Sequence, residues 1–169
     1  MNNTIVLACV HPKPVLERGS SGTEGNLHGF EGGCCIKLGS TYHLFAPEMA
    51  GEPAGAHTLL AHWASNNRLD WHRVSTLYKS SENYDGHDPR AALWSPMPIF
   101  NESENRWNFF YVAYRAAPNT PTEWLTNFDG RIWRVWPSSP YFSPPMVLKK
   151  KTMGHLDWPK FDFKNELFC

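Results

Sequence analysis

Two short segments carry residue types that could act on a sugar. The first is His28-Gly29-Phe30-Glu31-Gly32-Gly33, where glycines let a backbone or a ligand come close beside a carboxylate. The second is Tyr84-Asp85-Gly86-His87-Asp88-Pro89-Arg90, running into Leu93-Trp94-Ser95-Pro96. Glycosidic cleavage needs one acid to protonate the leaving oxygen and a carboxylate to activate water or attack the anomeric carbon. Glu31 and Asp88 are therefore the candidate catalytic pair. Trp94 offers an indole face for a sugar ring to stack on, and its N–H is a polar handle. Arg90 can orient a substrate hydroxyl or hold Asp88 ionised through a bidentate pair, and His28 completes the candidate substrate-binding set. The structural alternatives are ordinary: Glu31 accepting backbone hydrogen bonds, Asp88 closing the Asp-Pro turn, Trp94 in a core, Arg90 in a structural ion pair.

Other chemistries find less support. Cys9, Cys34, Cys35 and Cys169 form no CxxC pair. His28, His43, His62 and His87 show no ligand spacing, so neither a metal nor a cofactor is expected. Cys34-Cys35 falls in an expected strand, where neighbours point to opposite faces, and reads as a pair of buried thiols. A Gly-x-Ser-x-Gly elbow and a P-loop lysine are both missing. Lys plus Arg and Asp plus Glu each number 16, which argues against a charge-driven nucleic-acid or anionic-membrane partner. The longest early apolar run, Ile5 to Val10, is short for a signal-peptide core and far short of a membrane span.

The elements that must position these residues read as strands. The chain of 169 residues is long enough for one ordinary domain, and its 14 prolines and 12 glycines break up long helices. Gly33–Leu38 and Thr41–Phe45 flank Gly39-Ser40, a pair suited to a tight hairpin turn. His57–Ser65 and Trp71–Leu77 supply two further strands. Ala91–Ser95, Trp107–Tyr114 and Arg131–Trp136 repeat the order, with at most one edge strand near Met146–Lys149. The wide spacing between the repeats suits four-stranded propeller blades with long loops better than a compact sandwich. The expected fold is all-β: a partial β-propeller of about two four-stranded antiparallel blades over residues 27–136. An irregular lead-in (1–26) and a Pro/Lys/aromatic tail (137–169) flank it. Trp63, Trp71, Trp107 and Trp133 are assigned to packing between blades.

Several motifs together resemble a known family. Gly32-Gly33, Thr41-Tyr42-His43-Leu44-Phe45, Ser65 with Leu69-Asp70-Trp71, Leu93-Trp94-Ser95-Pro96 and Trp107-Asn108-Phe109-Phe110-Tyr111 look like the first two blades of the five-bladed glycoside hydrolases of the family 43 type. Arg90 to Pro98, Asn105-Arg106-Trp107-Asn108 and Gly130 to Arg134 look like a subgroup of family 43-like proteins. The resemblance implies a glycan substrate and three acids drawn from successive blades. Glu31 stands about where the family has its general-base Asp. Met97 occupies the place of its second acid, and the proton-donating Glu belongs to a later blade without a counterpart in the matching part. Five blades need about twice this chain or more. The implied protein is therefore glycoside-hydrolase-like with an incomplete acid set, or a noncatalytic carbohydrate-binding or propeller-completing piece. Open blade faces would favour self-association or a partner chain.

Overall fold

The computed structural model describes residues 11–52, 56–119, 124–137 and 148–149, all of them strand, turn or irregular chain without a helix. Among the described residues, nine strands form two antiparallel sheets. The first contains β1 (Gly29–Phe30), β2 (Cys34–Leu38), β3 (Thr41–Met49), β4 (Thr58–Ser65) and β5 (His72–Lys79). β1 and β2 both pair with β3, so the sheet is a four-rung meander whose first rung is broken in two. The second is the meander β6 (Ala92–Asn101), β7 (Arg106–Asn119), β8 (Trp124–Pro137) and β9 (Leu148–Lys149). Gly39 supplies the positive φ, 60°, on which the β2–β3 hairpin turns.

β6 packs across β2, β3 and β4, which brings the sheets face to face. Phe45 and Leu60 from the first sheet meet Leu93, Phe109, Tyr111, Ala113 and Val135 from the second, with Trp133 against them. A smaller cluster of Ala56, Ala91, Ala92 and Ala116 lets the backbones come close beneath Tyr84, Trp94 and Tyr114. One hydrogen bond crosses between the sheets here: the Leu93 N–H donates to Thr58 Oγ1 at 2.8 Å.

The two outer faces differ. Side chains alternate along β4, and since Leu60 points at the second sheet, Trp63 points away from it. Trp63 was expected to pack between blades; it is instead fully buried on the far face, against Phe30 and the Arg73 guanidinium. Gly22, in the irregular segment before β1, lies over its ring so closely that a Cβ there would stand 3.2 Å from it. The outer face of the second sheet exposes Met97 (45%), Ile99 (38%) and Ile132 (66%). Cys34 and Cys35 are free, but only Cys34 is partly covered and Cys35 is exposed, because β2 is an outer rung.

His43 and His62 meet on the inner face, with ring nitrogens 2.9 Å apart, and His62 stacks on Phe45. Burial, with His43 and His72 nearby, lowers the His62 pKa to about 4, and burial lowers His43 as well. Below the unfolded value of 6.5 the unfolded chain takes up a proton that folded His62 refuses. Its contribution to stability is full above pH 6.5 and is lost as pH falls towards 4, a difference of about 3 kcal/mol. Urea midpoints measured across that window should fall with pH, and the slope should flatten in His62→Gln. An equally steep slope in the variant would assign the acid sensitivity to other groups.

Candidate functional site

Three interruptions of the strand ladders converge on one cleft. Phe30 pairs with Glu48 and Cys34 with Phe45, so Glu31, Gly32 and Gly33 stand opposite only Ala46 and Pro47. Gly33 is required at this bulge, since a Cβ there would lie 2.5 Å from the Phe45 carbonyl oxygen. Ser95 and Pro96 stand opposite Tyr111 alone, with Ser95 at a φ of 52°. Asp129 and Gly130 stand opposite Tyr114, with Asp129 at a φ of 51°. Such bulges bend a strand and re-aim its side chains. The resulting cleft of about 500 Å³ is lined, among the described residues, by Glu31, Gly32, Pro47, Trp94, Ser95, Tyr114 and Asn127.

Each lining group has a structural reason for its position. Glu31 is anchored through its backbone, whose N–H donates to the Pro47 carbonyl at 3.2 Å. Its carboxylate is exposed and makes no ion pair or side-chain hydrogen bond among the described residues. Trp94 is half-buried over the alanine cluster. The Tyr114 ring rests on Gly130, where a Cβ would come within 2.5 Å of it, so only glycine leaves the ring in place. Tyr114 and Asn127 come from β7 and β8, where the sequence analysis places no candidate site residue.

The structure thus brings together two of the five candidate residues, Glu31 and Trp94, one from each sheet. The other three are absent from the described lining. Asp88 Oδ1 accepts the Arg90 backbone N–H at 2.8 Å, the turn-closing role weighed for it above. Arg90 makes no ion pair with Asp88 among the described residues; its charge acts on Tyr78 and Tyr111, whose pKa values burial pushes up. His28 pairs with Glu52 at 2.9 Å. In the loop that carries Asp88, Asp85 accepts the His87 N–H at 2.7 Å, and that bond holds its carboxyl below the usual range.

No group of three or more His, Cys, Asp or Glu side chains suited to a metal ion occurs among the described residues. Paired acid chemistry requires carboxyl groups about 5–5.5 Å apart for retention, or about 6.5–9.5 Å for inversion. The described lining holds a single carboxylate. The described lining offers an indole and a phenol ring to stack against, with a carboxylate, an amide and two hydroxyls to hydrogen-bond. Comparison of the chain with protein-family models, curated proteins and solved structures gives no match.

Proposed function

We propose that this chain is a glycoside-hydrolase-like segment of a β-propeller, its two sheets being adjacent blades, and that it binds carbohydrate in the Glu31/Trp94 cleft. The observation that carries the reading is the meeting of Glu31 and Trp94, each from the first rung of a different sheet, in one cleft with Tyr114 and Asn127. A sugar ring laid on Trp94 buries its apolar face, while its equatorial hydroxyls donate to Glu31 and exchange hydrogen bonds with Tyr114 and Asn127. Hydrolysis would require a second acid from outside this lining. The exposed Met97, Ile99 and Ile132 support self-association or a partner chain at that face; sedimentation showing a monomer at high concentration would remove this part of the reading.

Tryptophan fluorescence titrations with arabino-, xylo- and fructo-oligosaccharides test the binding site. Binding is expected, and Trp94→Ala should weaken it by about tenfold under conditions where the variant stays folded, the lost packing on the alanine cluster lowering its unfolding midpoint as well. Unchanged affinity in the variant would move the site elsewhere, and silence with every glycan would end the carbohydrate reading. Aryl glycosides should not be turned over by the chain alone. Turnover that disappears in Glu31→Gln would instead make Glu31 a catalytic residue.

A further inference from the structure

Resting on the carbohydrate reading, we infer that the cleft selects glycans by charge and favours a sugar bearing a protonated amine, such as a deacetylated amino sugar. Glu31 differs from five of the acids among the described residues. The carboxylates of Glu48, Glu52, Glu82, Glu104 and Asp129 are each ion-paired within the chain. Glu31 has no such partner among the described residues, yet it lines a cleft. Its countercharge is left for the ligand to supply.

The surroundings leave little room for an anionic sugar. The described lining contains no Lys, Arg or His. The arginines nearest in sequence to the Tyr114 and Gly130 contact, Arg115 and Arg131, both pair with Asp129, at 3.3 and 2.9 Å. A uronate would therefore bring a second negative charge beside Glu31 with nothing to offset it. A cation meets the opposite situation, because the faces of Trp94 and Tyr114 carry negative quadrupole potential that attracts an ammonium group. Carboxylate and aromatic faces act in the same direction here.

Matched oligomers provide the test: glucosamine tetramers against their N-acetylated counterparts, titrated at slightly acidic pH where the amines hold their protons. The amine form should bind about five- to tenfold more tightly at low ionic strength. The advantage should shrink with added salt and vanish in Glu31→Gln, whereas Glu31→Asp should keep part of it. Equal affinity, tighter binding of the acetylated oligomer, or a preference that survives Glu31→Gln would overturn the inference. If neutral xylo- or arabino-oligosaccharides bind and the amine oligomers do not, the inference falls and the carbohydrate reading stands. If no glycan binds, both fall.

Discussion

Replacing Arg73 with alanine is expected to lower the unfolding free energy by about 3–5 kcal/mol. Glu48 is fully buried in β3, a place where an unpaired carboxylate is very costly. Arg73 Nη1 stands 2.8 Å from both of its oxygens, and Trp63 Nε1 donates to Oε1 at 3.0 Å. The same guanidinium donates to the Gly22 carbonyl at 3.1 Å and lies over the Trp63 ring. One side chain thus neutralises a buried charge and pins the irregular segment to the outer face of the first sheet. Urea denaturation should show a lower midpoint with an unchanged slope, and limited proteolysis should cut earlier in residues 11–28. Replacing Glu48 and Arg73 together with methionine should recover much of the loss, since no charge is then stranded. A single variant as stable as the double would show that the ion pair is not what holds this face.

Much of the architecture is legible because its signals are local. Gly39-Ser40 marks the hairpin, and the order of apolar runs gives two four-rung meanders. The lengths of β6 and β7 are less legible, because Pro96, Pro98 and Pro118 argue against strand where strand occurs. β6 is an outer rung, so the missing N–H groups of Pro96 and Pro98 take little from the ladder. Pro47 is tolerated inside β3 because the rung opposite it is interrupted by the Glu31 bulge. The covering of Trp63 by Gly22 depends on an irregular segment that carries no periodic pattern.

The site is legible in location more than in membership. The first segment lines the cleft through Glu31 and Gly32 and the second reaches it only through the Trp94-Ser95 that follows it, while the backbone turns Asp88, Arg90 and His28 to turn-closing, tyrosine-facing and ion-pairing roles. A bulge decides which way a side chain points, and composition alone does not reveal that direction. Asp129-Gly130 and Ser95-Pro96 are the pairs that carry the signal, a residue of positive φ followed by a glycine or a proline. Read as bulges, they would have drawn Tyr114 and Asn127 into the candidate set.

The contact that joins the two halves of the cleft is Phe45, and Phe45→Ala is expected to cost about 3–5 kcal/mol. The ring is fully buried, stacks on His62 at 4.6 Å and meets Phe109 edge-on at 5.5 Å. Truncation removes apolar area from both contacts and leaves a void among Leu60, Leu93, Phe109 and Tyr111, which close packing lets them fill only in part. Since Glu31 belongs to one sheet and Trp94 to the other, loosening this contact should weaken the glycan binding proposed for the cleft along with stability. Phe45→Leu fills most of the void and should lose less on both counts. The comparison with Trp94→Ala separates the two effects, because that variant removes the stacking face itself while leaving the Phe45–Phe109 contact in place. Full affinity in folded Phe45→Ala would show that the cleft does not depend on how the sheets are held together.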